Sequence, residues 1–189
     1  SHDYFPAFID DPYLFGRLAA LHSLSDIYAR GATPHSALAT VCLSINHHRL
    51  QGRDLSRLMQ GAVEELNRAQ CALLGGHTIE GAQMAAGFTI NASAHDGRLF
   101  SKGGANQGDQ LILTKALGAG VLLAALMQPL RCGQWYASLV TEMLRSNAPA
   151  MHLLQQPNVT AVTDVTGFGL LGHVLEMCDA SGVALKLFA

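Results

Sequence analysis

Three aspartates stand out because each lies where a carboxylate is locally unexpected, in separate parts of the chain. Asp26 falls inside a predicted helix, one turn after His22, and Asp3 lies near the start of the sequence. Asp164 follows a predicted strand, at the end where α/β sheets commonly bind ligands. Carboxylates that converge from separate elements suit Mg²⁺, which takes few protein oxygens and leaves room for phosphates. For Asp26, an exposed helix face explains the spacing equally well.

A glycine pair provides a second signal. Gly75 and Gly76 follow an amphipathic segment that predicts a helix over residues 54–74, and His77 and Thr78 come next. A turn of this kind can present backbone N–H groups to an anion such as phosphate. An ordinary helix stop accounts for the glycines equally well.

The third signal is the run DVTGFGLLGH, which starts at Asp164. Residues 167–172 match GxGxxG between a predicted strand and a predicted helix, the formal dinucleotide-binding pattern. However, the strand does not run straight into the first glycine, and Asp164 would repel a pyrophosphate unless a metal ion lay between them. A metal-bridged phosphate therefore fits better than a dinucleotide, and a dinucleotide oxidoreductase stays open as an alternative that NADH binding would support.

The elements that must position these residues alternate between helices and strands. Hydrophobic periodicity together with glycine and proline stops gives their bounds. The predicted helices cover 11–31, 54–74, 118–127, 134–145, 148–155 and 169–181, and the predicted strands cover 37–45, 83–93, 109–115, 160–163 and 183–188. A glycine-rich joint at 101–108 places a domain boundary near residue 105, giving domains 1–105 and 106–189.

Composition excludes several classes of function. The 189 residues are 49% hydrophobic and 14% charged, which is typical of a folded chain rather than a disordered one. The net charge of -2 and the absence of a basic block argue against a nucleic-acid partner. No apolar run approaches the roughly 20 residues of a membrane helix. Four scattered cysteines without a CxxC pair favour reduced thiols in a cytoplasmic protein over a zinc or redox motif.

Several of these stretches together resemble selenophosphate synthetase (selenide, water dikinase). The resemblance spreads over nearly the whole chain in the order of the family. The matching stretches are Asp3–Pro6, Asp10–Tyr13 with Gly16 and Arg17, Leu24–Gly31, Gly75–Thr78 and Asp164–His173.

The resemblance implies the fold of the aminoimidazole ribonucleotide synthetase superfamily. This is an α/β (α+β) architecture in which an N-terminal half-barrel sheet with helices pairs with its copy in a homodimer. An α/β C-terminal domain packs alongside, and both domains are expected to be incomplete in this chain. The implied reaction converts ATP, selenide and water to selenophosphate, AMP and phosphate, with Mg²⁺ as the cofactor.

The resemblance also implies roles for particular residues. The positions that match Asp26 and Asp164 bind magnesium in the family, and Asp26 also contacts the nucleotide. Asp3 matches a nucleotide contact. The segment that contains Gly76, His77 and Thr78 matches one that reaches ATP across the dimer interface.

This chain departs from the family pattern in its first residues. Relatives carry, upstream of the Asp3 position, a glycine-rich segment with a reactive cysteine or selenocysteine, a lysine and a further metal-binding aspartate, so no catalytic residue is assigned in this chain. The chain is therefore expected to be a piece of a longer enzyme, inactive alone. Two alternatives stay open: an ATP-dependent enzyme of the same fold acting on another small acceptor, and a non-catalytic nucleotide-binding or dimerisation module.

Overall fold

The computed structural model describes residues 1–94, 97–128, 132–154 and 156–188, and shows a mixed α/β architecture, which confirms the predicted fold class. The chain divides into two compact units. The first consists of Ser1–Ile27 and Ala32–Gly97, and the second of Tyr28–Gly31 and Arg98–Ala189. Among the described residues, no helix has both the length and the apolar character needed to cross a membrane.

The first unit is a four-stranded sheet with two long helices. Its elements are β1 (His2–Pro6), α1 (Pro12–Ala29), β2 (Ala32–Ser44), α2 (His48–Arg68), β3 (Ala72–Gly81) and β4 (Ala85–Ala94). The strand order is β1-β4-β2-β3, in which β3 runs parallel to β2 and the other neighbouring pairs are antiparallel. This order makes β1 and β3 the two edges of the sheet.

The core of the first unit forms where the helices cover one face of the sheet. Its largest fully buried side chains include Phe15 and Leu24 of α1, Leu58 and Leu66 of α2, and Phe88 of β4. Each such side chain stabilises the folded state by roughly 1.5–3 kcal/mol when it is buried rather than exposed. The core therefore fixes the faces that α1 and β1 present to each other.

Helix α1 begins as the sequence predicts. The Asp11 carboxylate accepts hydrogen bonds from the backbone N–H groups of Tyr13 at 2.9 Å and Leu14 at 3.3 Å, which satisfies donors that the first turn leaves free. Pro12 occupies the first helical position, where its missing N–H costs nothing. At the other end, Gly31 adopts a φ of 67°, and its N–H bonds to the Tyr28 carbonyl.

Two glycines allow α1 and α2 to approach each other closely. A Cβ added to Gly16 would lie 1.9 Å from the Leu58 carbonyl oxygen, and one added to Gly61 would lie 2.0 Å from that of Tyr13. The crossing is further tied by Glu65 of α2, which is buried and lies 2.5 Å from the Arg17 guanidinium of α1. The orientation of α1 over the sheet is thus set by backbone contact as well as by side-chain packing.

Helix α2 has the predicted length of 21 residues but begins and ends six residues earlier, so the predicted helix over 54–74 is wrong at both ends. Gln70 takes a φ of 54°, its N–H bonds to the Asn67 carbonyl, and the Cys71 N–H bonds to the Leu66 carbonyl. These paired bonds close the helix with a Schellman motif. The stop was missed because glutamine, not glycine, occupies the left-handed position.

The second unit is built from short helices. They are α3 (Ala119–Leu126), α4 (Gly133–Met143), a 3₁₀ turn at Ala148–Ala150, α5 (Met151–Leu154) and α6 (Gly169–Ser181). These agree with the predicted helices, and α6 has the predicted bounds. Residue 155, the last of the predicted helix 148–155, lies outside the described residues.

The strands predicted at 109–115, 160–163 and 183–188 are wrong for the structure as described, since none of these segments is a strand there. A strand requires a neighbouring strand to complete its hydrogen bonds. Among the described residues, these segments make isolated bonds only, such as that from the Val162 N–H to the Ser101 carbonyl at 2.9 Å. Their apolar side chains, including Ile112 and Phe188, are largely exposed.

Candidate functional site

Asp3 lies on β1 and faces helix α1. Along β1, Asp3 and Phe5 are half-buried, whereas His2, Tyr4 and Pro6 are exposed, because successive side chains of a strand point to opposite faces. The Phe5 ring packs edge-on against Phe15 and His22 of α1. The same alternation therefore directs the Asp3 carboxylate toward the helix that carries Asp26.

His22 and Asp26 lie one turn apart on α1, next to Asp3. The Nε2 atom of His22 lies 3.9 Å from Oδ1 of Asp3. The hydroxyl of Ser1 donates a hydrogen bond to Oδ2 of Asp26. The chain start, β1 and α1 together form a small polar cluster, defined by Ser1, Asp3, His22 and Asp26, which we call the aspartate cluster.

The electrostatics of the aspartate cluster disfavour a second negative charge. Burial raises the pKa of the Asp3 carboxyl, and the negative charge of Asp26 raises it further. Oδ2 of Asp3 is buried, and it finds no hydrogen-bond donor in the part of the chain that the structure describes. A buried carboxylate oxygen without a donor is costly, so a cation would relieve both the repulsion and the unsatisfied acceptor.

The donor set of the aspartate cluster fits a hard divalent cation. Mg²⁺ prefers carboxylate oxygens and usually keeps several waters or phosphate oxygens, so one or two carboxylates are sufficient. Within the described ranges, no group of three or more His, Cys, Asp or Glu side chains could hold a metal ion. The cluster thus matches a cation shared with a phosphate ligand better than a closed protein cage.

Gly76, His77 and Thr78 lie within strand β3, and not in a helix-ending turn as the sequence predicted. Gly76 is required there because an added Cβ would lie 2.0 Å from the Ala39 carbonyl oxygen of β2. All three residues are exposed. Residues 73–78 also line a shallow groove with Leu55 and Met59 of α2.

The sheet register separates this segment from the aspartate cluster within one chain. Asp3 pairs with Phe88, Phe88 with Ala39, and Ala39 with Gly76, so Asp3 and Gly76 share one row across all four strands. Three strand spacings amount to about 14 Å. The chain therefore brings Asp3 and Asp26 together but keeps Gly76 at the opposite edge of the sheet.

Asp164 belongs to the second unit, where it is half-buried in the segment that precedes α6. Asp26 belongs to the first unit, so the convergence of these two carboxylates stays a prediction. The segment that follows Asp164 is anchored to α6. The N–H of Thr166 donates to Nε2 of His173 at 3.0 Å, and the Thr166 hydroxyl lies 3.2 Å from the same nitrogen.

Two of the three glycines of the GxGxxG match have local structural reasons. Gly169 enters α6 with a φ of 68°, a left-handed conformation that favours glycine. A Cβ added to Gly172 would lie 2.8 Å from Cβ of Phe168. Gly169 and Gly172 therefore support a tight entry into α6, whereas no atom of the described residues lies within 4 Å of a Cβ added to Gly167.

Sequence reasoning assigned no role to His22 in the aspartate cluster, nor to His173 and Lys102 around the segment that follows Asp164. His22 had a usable signal, since it precedes Asp26 by four residues and so shares its helix face. His173 closes the DVTGFGLLGH run but gave no indication that it binds back to Thr166. Lys102 lies far from α6 in sequence, yet it reaches Glu176.

Comparisons with known proteins give a consistent result for both halves of the chain. The family model for the AIR synthase related protein N-terminal domain matches residues 1–95, and the model for the corresponding C-terminal domain matches residues 106–189. The selenide, water dikinase of Caldanaerobacter subterraneus subsp. tengcongensis is 38% identical over 184 residues, covering 97% of this chain and 52% of that protein. The one from Clostridioides difficile is 37% identical over 186 residues, covering 98% and 52%. The chain thus spans about half the length of the curated relatives it matches.

Solved structures resemble the chain in fold. "AaThiL complexed with AMPPCP and TMP" superposes with a TM-score of 0.78 at 20% identity, covering 96% of this chain and 60% of that one. E. coli HypE, a hydrogenase maturation protein, superposes with a TM-score of 0.76 at 20% identity, covering 96% and 57%. A HypE structure in complex with ATP gives a TM-score of 0.74 at 19% identity, covering 96% and 55%.

Proposed function

Because this chain belongs to the AIR synthase related protein family, we propose that the full-length protein is a selenide, water dikinase. In this proposal, ATP, selenide and water are converted to selenophosphate, AMP and phosphate. The observation that carries the proposal is the 35–38% identity to selenide, water dikinases, which extends over 184–187 residues and so through both matched domains.

The aspartate cluster supplies the physical support for a phosphoryl-transfer role. Phosphoryl transfer depends mainly on positioning and charge neutralisation, so it needs cation-binding carboxylates more than a protein nucleophile. We assign Asp26 to a Mg²⁺ ion and to the nucleotide, Asp164 to Mg²⁺, and Asp3 to the nucleotide. When bound, the ion neutralises charge on the polyphosphate. The unsatisfied Oδ2 of Asp3 and the raised pKa of its carboxyl favour a cation at the cluster.

The position of β3 supports a homodimer in which each active site uses both chains. Tyr4, Leu38 and Ile79 are exposed apolar side chains on the sheet, and β3 is an edge strand. Exposed apolar surface and free strand edges are common at interfaces between chains. Gly76, His77 and Thr78 lie too far from Asp3 to share a ligand's phosphates within one chain, so we propose that they reach the ATP held by the partner.

We further propose that the protein acts in the cytoplasm. Cys42, Cys71, Cys132 and Cys178 are all free thiols. Unpaired thiols are typical of proteins in reducing compartments.

The reaction is tested on the full-length protein with ATP, selenide and MgCl₂ under anaerobic conditions. Phosphorus NMR should detect selenophosphate, with AMP and phosphate formed in equal amounts. Asp26→Asn should abolish ATP consumption, whereas the matched control Asp179→Asn, which changes an exposed carboxylate of α6, should retain it. Unchanged turnover by Asp26→Asn would contradict the site assignment.

The second candidate, a same-fold enzyme with another acceptor, is separated in the same assay. The fold likeness to AaThiL complexed with AMPPCP and TMP makes thiamine monophosphate a suitable competing acceptor. Phosphorylation of that compound without selenophosphate formation would favour the second candidate. Binding of ATP without any product would favour a non-catalytic nucleotide-binding module.

The shared active site is tested by complementation between two inactive chains. In a dimer of an Asp26→Asn chain and a His77→Ala chain, one site carries both defects and the other carries neither. Coexpression should therefore restore activity that neither variant has alone. If the mixed sample stays inactive although sedimentation shows dimers, the cross-chain assignment of residues 76–78 is wrong.

A further inference from the structure

A continuous set of polar contacts runs along α6 and ends on the segment that follows Asp164. Lys102 Nζ lies 2.5 Å from Oε2 of Glu176. The same carboxylate oxygen lies 3.6 Å from Nδ1 of His173, and His173 in turn accepts the Thr166 N–H. We call these four residues, Lys102, Glu176, His173 and Thr166, the α6 relay.

The contacts of the α6 relay determine which tautomer the His173 ring adopts. A backbone N–H can only donate, so Nε2 of His173 carries no hydrogen where it accepts from Thr166. The ring hydrogen therefore sits on Nδ1, which is buried, lies 3.6 Å from Oε2 of Glu176 and makes no hydrogen bond among the described residues. Lys102 donates to Glu176 and lowers the pKa of its carboxyl, which keeps a negative charge opposite that hydrogen.

Hydrogen bonds also join the segment 101–105, which carries Lys102, to Val162 and to Ser181 at the end of α6. Upstream of Asp164, the Val162 N–H bonds to the Ser101 carbonyl. The Ser181 hydroxyl at the end of α6 accepts from the N–H groups of Gly104 and Ala105, at 3.2 Å and 3.1 Å. The residues on either side of Asp164 are thus bonded, Val162 to the segment that carries Lys102 and Thr166 to α6.

Burial distinguishes His173 from the exposed residues beside it. Its exposed fraction is 5%, whereas Leu171 and Leu175 on the same helix are 65% and 62% exposed. A buried imidazole has a defined orientation when one nitrogen accepts a hydrogen bond from a loop amide and the other faces a carboxylate. Outer-shell groups of this kind orient the residues that bind a metal ion.

We propose that His173 is a positioning residue that holds the segment 164–168, and with it the Asp164 carboxylate, in the geometry required for cation binding, and that Glu176 and Lys102 orient the imidazole. The part of this inference that concerns the cation rests on the proposed function. The part that concerns the loop does not, because it follows from the contact between His173 and Thr166.

The loop part is tested by amide hydrogen exchange on the full-length protein, with a pair of matched variants. His173→Gln can place an amide oxygen near the position of Nε2, whereas His173→Asn, of similar polarity, carries its amide near the position of Nδ1. Exchange of the Thr166 amide should accelerate at least about 10-fold in His173→Asn and change little in His173→Gln. Leu175→Ala, on the exposed side of α6, is the control and should leave it unchanged.

The cation part is tested by titrating Mg²⁺ into the same variants, using calorimetry in the absence of selenide together with the rate of ATP consumption. His173→Asn should raise the half-saturating Mg²⁺ concentration by about 10-fold, the lower end of typical outer-shell effects. At saturating Mg²⁺ the KM for ATP should stay within about twofold. His173→Gln should restore most of the Mg²⁺ affinity.

The two parts fail in different ways. If Thr166 exchange is the same in wild type and His173→Asn, His173 does not hold the loop and the whole inference is overturned. If exchange accelerates but Mg²⁺ binding by calorimetry is unchanged, the positioning of Asp164 for a cation is overturned. If the wild type binds Mg²⁺ as expected but forms no selenophosphate, the proposed function fails while the role of His173 stands.

Discussion

The aspartate cluster and the α6 relay each contain a buried polar atom without a hydrogen-bond partner among the described residues, but the two atoms have different neighbours. In the first unit, a tightly packed core leaves a buried oxygen of Asp3 without a donor from the described residues and places Asp26 close enough to repel it. In the second unit, the residues around Asp164 are tied by hydrogen bonds to α6, in a region where many apolar side chains are exposed. A buried carboxylate oxygen beside a second carboxylate indicates a cation ligand. A buried imidazole that accepts a loop N–H and faces a carboxylate indicates a positioning role instead.

The largest loss of stability in the first unit is expected from a substitution where α1 and α2 cross, beneath the aspartate cluster. Gly61→Ala would place a Cβ 2.0 Å from the Tyr13 carbonyl oxygen. We expect a loss of about 3 kcal/mol in the free energy of unfolding, the upper range for overpacking. Urea denaturation of the full-length protein measures it.

Gly52→Ala is the matched control for this experiment. It changes another glycine of the same helix, but no atom lies within 4 Å of the added Cβ. It should stabilise the protein by about 0.5–1 kcal/mol through helix propensity alone. Equal effects of the two substitutions would show that the helices separate readily and that α1 is not held in place by its glycine contact.

The unsatisfied charge of the aspartate cluster predicts opposite effects on stability and activity. Asp3→Asn removes the repulsion from Asp26, so without Mg²⁺ it should stabilise the protein by about 1 kcal/mol, as is common when a strained functional site is relieved. It should also reduce ATP consumption. Thermal unfolding with and without Mg²⁺ measures the first effect, and the stabilisation by Mg²⁺ should be smaller in the variant.

The same substitution should alter the dependence of stability on pH. The pKa of Asp3 is raised in the folded protein above its ordinary value of 3.8, so the folded state resists ionisation. The stability penalty is absent below the ordinary pKa, develops as the pH rises from there through the raised pKa, and is complete above it. The difference between wild type and Asp3→Asn should therefore grow with pH over that window. A difference that stays constant with pH would contradict a raised pKa at Asp3.

Another prediction concerns the boundary between α2 and β3, which sets where the Gly76 segment begins. Gln70 adopts a left-handed φ of 54°, a conformation that costs roughly 1 kcal/mol or more for residues other than glycine. Gln70→Gly should stabilise the protein by about 1 kcal/mol, measured by urea denaturation. Gln60→Gly, in the exposed middle of α2, should instead destabilise by about as much.

The sequence predicted the fold class and most of the helices well, since those depend on local periodicity and on caps such as that of Asp11. It failed where the structure depends on partners distant in sequence. Gly75 and Gly76 look like a helix stop, but in the folded chain they lie in an edge strand whose neighbour, β2, is separated from them in sequence by the whole of α2. The strand-like segments of the second unit, such as 109–115, have the apolar pattern of strands but form no ladder among the described residues.

For the candidate site, the sequence indicated which residues to select, but it could not predict how they are arranged in space. Asp3 and Asp26 could be selected from sequence because carboxylates in those positions are unusual, and the resemblance indicated the same two residues. Their shared cluster depends on the register of β1 with β4 and on the face of α1, which no local pattern gives. His173 is a similar case, because its contact with Thr166 requires the tight turn at Gly169.

The smallest expected effect on stability distinguishes the α6 relay from the scaffold of the first unit. Glu176 forms an exposed ion pair with Lys102, and such pairs contribute little to stability. Glu176→Gln should therefore leave the urea midpoint unchanged within error, while the Thr166 amide exchanges faster because the His173 ring loses the charge that orients it. Arg53→Gln removes another exposed pairing partner, that of Asp54 in α2, and should change neither quantity. If Glu176→Gln lowers the urea midpoint by more than the experimental error, the relay contributes to the stability of the fold. The contrast between the two regions then disappears.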